Sequence, residues 1–273
     1  MTDDGEVRIA TYNFLHGGSA RRNGHMAAVL AATKADILLC QEARPVAQLH
    51  LEGNDIEPGD SFLWRPIAGR KWGSGILVRG RAAIEISVMG FEGWVVGAEI
   101  ELLRKTSILN VHCPAGPGGY ARTMHRLLDA IEPLAARGDV IIGGDFNVAT
   151  GYRSADESVK ISKAEVQLLD RLTGDFGLIP CWQVANPGKP LAQTLRWTAN
   201  RAAPYHCDGI FVPRSWQTHL RSCNVLTGEV WDQLSDHNPV VAHIDLRSIA
   251  HDQPPTRTTR SGRKDRRSSR ARS

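Results

Sequence analysis

The sequence predicts an α/β fold, laid out as one domain over residues 1–246 followed by a basic tail over residues 247–273. Segments that alternate apolar and polar residues and segments with apolar residues at helical spacing are mixed along the chain rather than segregated. No internal repeat and no break in composition interrupts them before about Ser248. Several of the apolar strand-like runs also end in Asn, Glu, Asp or His, the way α/β enzymes present reactive groups from a rigid scaffold.

The elements follow in order. Val7–Asn13 alternates and reads as a strand, and Asn23–Thr33, with Met26, Val29 and Leu30 at helical spacing, reads as a helix. Asp36–Glu42 is a short buried strand with a polar end. Gly73–Arg79 and Ala83–Val88 read as neighbouring strands joined by a Gly80-Arg81 turn, and Gly93–Leu103 and Thr106–His112 as a hairpin with Arg104-Lys105 at its tip. Ala121–Arg137 is a helix whose apolar face is Met124, Leu127, Leu128 and Ile131. Val140–Ile142 is a strand, Thr150–Ile161 a polar loop and Lys163–Leu172 a helix. Pro187–Pro204 is rich in turn residues and carries Trp197, and Cys207–Val212 and Val240–Leu246 are the last two strands.

Composition excludes several classes. With 42% hydrophobic and 23% charged residues, the 273-residue chain is neither fibrous nor largely disordered. No apolar run approaches the roughly 20 residues that span a bilayer. The acidic start, Met1 to Val7, lacks an apolar signal core, so a cytoplasmic location is expected. The five cysteines (Cys40, Cys113, Cys181, Cys207, Cys223) are odd in number, widely spaced and without a CxxC pair, and read as buried or incidental thiols rather than disulfides or a zinc site.

The net charge of +4 is unevenly placed: residues 247–273 carry nine Arg and Lys against two Asp, a net +7, and residues 1–246 carry 24 basic against 27 acidic residues, a net −3. The tail is rich in Arg, Ser, Thr and Pro, has too little apolar surface to order itself, and is expected to be disordered. It is either a solvated arm or a source of non-specific affinity for nucleic acid or another polyanion.

Asn13, Glu42, His112, Asp145 with Asn147, and Asp236 with His237 each stand where an apolar run ends or begins, and Asp208 opens a sixth strand. A single Asp or His beside a strand is usually a cap or a satisfied surface group. Six such positions, all suited to metal binding or proton transfer, point to one hydrolytic centre. The series Thr11-Tyr12-Asn13, Gln41-Glu42, Asn110-Val111-His112, Gly144-Asp145-Phe146-Asn147, His206-Cys207-Asp208-Gly209-Ile210-Phe211 and Ser235-Asp236-His237 resembles the endonuclease/exonuclease/phosphatase superfamily in kind and order, over roughly Val7 to Leu246.

That resemblance implies a four-layer α/β/β/α sandwich, two mixed β-sheets face to face with helices outside, and a site at one edge of the sheets. It implies a hydrolase of phosphate esters dependent on Mg²⁺, with Mn²⁺ an alternative, because magnesium is held by one or two carboxylates plus substrate phosphate. Glu42 is the expected principal ligand, with Asn13 beside it and Asp236 as a further ligand; one or two metals are equally compatible. By the same resemblance Asp145 orients or deprotonates the attacking water, Asn147 fixes water and phosphate, His237 meets the scissile phosphate with Asp208 on its other nitrogen, and His112 contacts a non-bridging oxygen. His206 is expected to be structural, and Arg44, Lys71, Arg122 and Arg126 to be surface charges able to neutralise phosphate.

The chain departs from the apurinic endonuclease branch, which has Tyr where this chain has His112 and a Gly- and Arg-bearing turn where Asn13 is followed by Phe14-Leu-His-Gly-Gly18. Gly209 replaces a larger residue and is expected to leave the pocket floor more open. The leading expectation is a phosphodiesterase acting on nucleic acid, with the basic tail as a non-specific contact. The alternative is a phosphatase or phosphodiesterase for a small phosphorylated metabolite or lipid headgroup, favoured by the −3 charge of residues 1–246. The intact set of acids, Asn and His argues against a non-catalytic binding module. The sequence carries no signal of oligomeric state.

Overall fold

Apolar residues in runs rather than in strict alternation are what a strand needs when both its faces are buried, and that is how the central strands of this protein are used. The computed structural model describes residues 5–17, 25–45, 56–154 and 157–247. The first sheet contains β1 (Glu6–Asn13), β2 (Ile37–Ala43), β3 (Ser61–Pro66), β4 (Gly73–Val78), β11 (Leu220–Val225) and β12 (Val240–Asp245), in the order β11-β12-β1-β2-β4-β3. The second contains β5 (Ile84–Ile86), β6 (Val95–Glu101), β7 (Lys105–His112), β8 (Asp139–Asp145), β9 (Leu178–Pro180) and β10 (Asp208–Pro213), in the order β5-β6-β7-β8-β10-β9. Each sheet is mixed: β1 pairs β2 in parallel and β7 pairs β8 in parallel, and the other pairings are antiparallel.

Adjacent residues on one strand serve different layers. Ile9, Leu39 and Ile76 from one sheet meet Ile108, Ile141 and Ile210 from the other in the central core. Their neighbours Ala10, Leu38 and Leu77 turn the opposite way, onto Met26, Val29 and Leu30 of α1 (His25–Thr33) and onto Trp231 of α5 (Glu229–Leu234). Leu109, Ile142 and Phe211 likewise turn outward onto α2 (Gly119–Ala135) and α3 (Lys163–Gly174). The result is the expected four-layer sandwich. Each fully buried Leu or Ile contributes roughly 1.5–3 kcal/mol by leaving water.

Several sequence expectations change in detail. β4 and β5 are not sheet neighbours: the Gly80-Arg81 turn carries the chain from one sheet to the other. β3, β9, β11, α4 (Cys181–Ala185) and α5 lie where no element was expected. They are short or half-exposed, so their periodicity is weak. Asn23 and the tail from Ser248 lie outside the described residues. All five cysteines are free and buried, as expected.

Between the sheets, close to the end where β1 and β7 finish, sits a buried polar link. Gln41 Nε2 donates to Asn110 Oδ1 at 2.6 Å, and Asn110 Nδ2 donates to the carbonyls of Cys40 and Gly75 at 2.7 and 2.8 Å. Such satisfied cross-sheet bonds set the relative position of the sheets where an apolar contact alone tolerates sliding.

Candidate active site

Strand direction brings the polar strand ends together. β1 and β2 run parallel and both finish at one end of the first sheet; β12, antiparallel to β1, begins there, with Val240 opposite Thr11. In the second sheet His112 lies opposite Asp145 and Asp208 opposite Asp145 on its other side. Asn13 and Glu42, at the ends of β1 and β2, therefore face the same edge as His112, Asp145 and Asp208, and the turn before β12 delivers Asp236 and His237.

All eight residues form one connected group, with Asp145 and His237 as its junctions. Asn13 Nδ2 donates to Asp145 Oδ2 at 3.1 Å. The Asn147 backbone N–H donates to Asp145 Oδ1 at 3.0 Å and its Nδ2 to Asp145 Oδ2 at 3.4 Å. His112 Nε2 is 3.7 Å from Glu42 Oε1 and 3.9 Å from Asp145 Oδ2. His237 Nε2 is 3.8 Å from Asp145 Oδ2 and 3.9 Å from Asp236 Oδ1, and its Nδ1 donates to Asp208 at 2.9 Å. The residues that sequence reasoning singled out as a centre are thus linked pair by pair into one cluster.

The two histidines are held in opposite states. Burial disfavours the imidazolium of both. For His112 burial prevails and lowers its pKa to about 4. For His237 the Asp208 and Asp145 carboxylates together outweigh burial and raise its pKa to about 10. Burial raises the pKa of Asp145. A neutral imidazole, an imidazolium and a carboxyl of raised basicity within 4 Å of one another are a set able to move protons at neutral pH.

The backbone that presents these groups is tightly fitted. Gly144 sits at φ 143°, and a Cβ there would stand 1.9 Å from the Val111 carbonyl oxygen. Ser162 and Glu165 close a reciprocal capping box at the start of α3, and Glu165 Oε1 also accepts the Ala149 N–H at 3.0 Å, tying the loop after Asn147 to that helix. Gly209 does not open the pocket floor: a Cβ there would meet Thr150 Cβ at 2.7 Å, so the space is filled from the facing loop.

Sequence reasoning missed Arg196. Its guanidinium, almost fully buried, donates to Asn238 Oδ1 and to the carbonyls of Ser235, Trp231 and His237 at 2.7, 3.2 and 3.2 Å, while its own N–H donates to the Asp236 carbonyl at 2.8 Å. It clamps the turn that carries Asp236 and His237. In sequence it is one arginine in a turn-rich stretch, with nothing to separate it from a surface charge. Thr194 is a second such residue: its Oγ1 accepts the N–H groups of Cys207 and Asp208 at 3.0 and 3.1 Å.

His206 is buried, its Nδ1 bonds to the Ala192 carbonyl at 2.6 Å and burial lowers its pKa to about 4, in keeping with a structural role. It forms part of the wall of a cavity of about 360 Å³ beside Asn147, lined also by Arg153, Lys160, Trp197 and Tyr205. Lys71, Arg122 and Arg126 are exposed.

Two donor sets come into question for a cation. Asp145, Cys207, Asp208 and His237 bring ligand atoms within 4.8 Å of one another. Burial raises the Cys207 thiol well above its ordinary range, and His237 and Asp208 already bond to each other, so this set is spent internally. Asn13, Glu42 and Asp236 offer oxygen, the donor a hard cation takes. Asp236 Oδ1 is buried and has no hydrogen-bond partner among the described residues, which fits a cation ligand better than a structural carboxylate.

Two mixed sheets packed face to face, with acids, amides and histidines converging from both at one edge, define an α/β/β/α sandwich of hydrolytic type. The chain belongs to the Endonuclease/Exonuclease/phosphatase family, whose pattern matches residues 10–237. Its fold is shared with a 3′ phosphatase from Neisseria solved with a product DNA hairpin (TM-score 0.66, 20% identity, covering 88% of this chain and 99% of that one). The AP endonuclease LMAP of Leishmania major is equally similar (TM-score 0.66, 16% identity, 88% of each chain). The endonuclease domain of the telomere-specific retrotransposon TRAS1 follows at TM-score 0.59 and 18% identity, over 89% of this chain and 99% of that one. A 143-residue stretch is 24% identical to the Transposon TX1 uncharacterized 149 kDa protein of Xenopus laevis; the match takes in 52% of this chain and 11% of that protein.

Proposed function

We propose that this protein is a divalent-metal-dependent phosphodiesterase acting on nucleic acid. The observation that carries the reading is the junction at Asp145, where a buried carboxyl is flanked by one neutral and one protonated histidine, His112 and His237, at 3.9 and 3.8 Å. Asn13, Glu42 and Asp236 are the residues that would hold the cation. A bound divalent cation neutralises phosphate charge and activates water. Asp145 takes the proton of the attacking water, aided by its raised basicity, with Asn147 holding both Asp145 and the water in place. His237, kept protonated and oriented by Asp208, donates to the phosphate oxygens as negative charge builds on them. His112 donates one N–H to a non-bridging oxygen.

Nucleic acid is favoured over a small ester by the cavity beside Asn147. Trp197 is 51% exposed and lies edge-to-face with Tyr205, and Lys160 lines the same cavity, where the buried Arg153 is paired with Glu157. Aromatic faces next to a cation suit a base and its backbone. The basic tail adds a sequence-independent contact.

The test is hydrolysis of DNA, RNA and small phosphomonoesters and phosphodiesters by the full chain, with chelator and then with Mg²⁺ or Mn²⁺ restored. Asp145→Ala and Glu42→Ala are expected to lower the rate by about 10²–10⁴-fold each. Hydrolysis that survives both substitutions and chelation overturns the mechanism. Turnover of small esters alone replaces nucleic acid as the substrate, the outcome the −3 charge of residues 1–246 favours.

A further inference from the structure

The described residues include five non-glycine residues in the left-handed region: Leu15, His16, Lys34, Glu42 and Asn147. Glu42 and Asn147 belong to the candidate site, and Leu15 and His16 form a consecutive pair just beyond Asn13. Each such residue costs on the order of 1–3 kcal/mol and persists only where the surroundings impose it. Within this turn the Leu15 N–H donates to Asn13 Oδ1 at 3.0 Å, and His16 makes a double contact with one Glu42 oxygen. The His16 backbone N–H donates to Glu42 Oε2 at 2.5 Å, and His16 Nδ1 reaches the same oxygen at 2.7 Å.

The His16 side chain is 70% exposed, and an exposed side-chain contact of this kind contributes at most about 1 kcal/mol. The ring is nonetheless held in place, stacked on Trp72 with centroids 5.9 Å apart and planes 30° from parallel. With Oε2 engaged on the outside, Glu42 Oε1 turns inward, toward His112 Nε2 at 3.7 Å.

We propose that His16 is the positioning residue of Glu42: it takes one carboxylate oxygen so that the other is presented inward to a divalent cation. This rests on the metal-dependent reading above. A partner on the far side of a ligand fixes its orientation, and its loss typically weakens metal binding 10–100-fold. The segment that does this, Phe14-Leu15-His16-Gly17, is the one in which the sequence departs from the apurinic endonuclease branch.

The experiment measures Mn²⁺ binding to the full chain from the loss of the free-ion electron paramagnetic resonance signal. His16→Phe keeps a ring against Trp72 and removes the donor; His16→Asn keeps a donor near the Nδ1 position and tolerates the left-handed backbone. Asn is expected to bind within about threefold of the parent chain, and Phe to bind about tenfold more weakly at unchanged thermal midpoint. Equal affinity of the Phe variant and the parent chain overturns the proposal, as does an Asn variant as weak as Phe. If the parent chain binds no Mn²⁺, or binds it equally well as Glu42→Ala, the metal reading itself fails and this one with it.

Discussion

Replacing Asp208 by Asn keeps the shape of the partner of His237 and removes its charge. In the folded protein His237 Nδ1 lies 2.9 and 3.1 Å from the two Asp208 oxygens, and both side chains are buried. The His237 pKa stands at about 10 against an ordinary 6.5, which corresponds to about 5 kcal/mol of preference for the charged ring. Asp145, 3.8 Å from Nε2, supplies part of this and remains in the variant. The expected loss is therefore about 3 kcal/mol, within the range of about 3–5 kcal/mol seen when one partner of a buried pair is removed. Because the folded pKa is raised, the stabilisation is complete below about pH 6.5 and disappears as pH rises through about 10. Urea denaturation of both proteins in chelator, at intervals from pH 6 to pH 10, reads this directly. The difference between them should be largest at pH 6 and shrink toward pH 10. A difference that is constant or grows with pH refutes the assignment of a charged His237 held by Asp208.

Other expectations follow from the same geometry. Arg196→Met should lower stability by about 2–4 kcal/mol, because it strands the carbonyls of Ser235, Trp231 and His237, and should lower activity through the loosened turn; urea midpoints and rate measurements on the same preparation check both. Gly144→Ala should cost at least about 3 kcal/mol or prevent folding, since its Cβ would stand 1.9 Å from the Val111 oxygen; soluble yield and thermal midpoint read the effect. Phe211→Ala, in the layer between β10 and the outer helices, should cost about 3–5 kcal/mol by denaturant titration. Removing residues 248–273 should reduce the salt dependence of nucleic-acid binding, and an unchanged salt slope would exclude the tail from substrate contact.

Helices α2 and α3 were legible because Met124, Leu127, Leu128 and Ile131, and Leu168, Leu169 and Leu172, repeat at helical spacing and bury one face. β3 was not, because its residues are half-exposed at the sheet edge and alternate weakly. The pairing of β4 with β5 was misjudged because a Gly-Arg turn between two apolar runs has the same local signature whether the chain folds back in one sheet or crosses to the other. Gly209 was misjudged because a missing side chain says nothing of what fills its place, here Thr150.

The sequence by itself determined the class of the fold, the family, and the identity of eight polar strand ends, because local periodicity and short ordered motifs are properties of neighbouring residues. Which atoms meet was decided only by tertiary structure. The opposite states of His112 and His237 depend on which carboxylates lie beside each buried ring. The contact of His16 with Glu42 spans 26 positions and that of Arg196 with the His237 turn spans 41. Electrostatics and hydrogen bonds act through space, and strand order, not residue order, sets the distances over which they act.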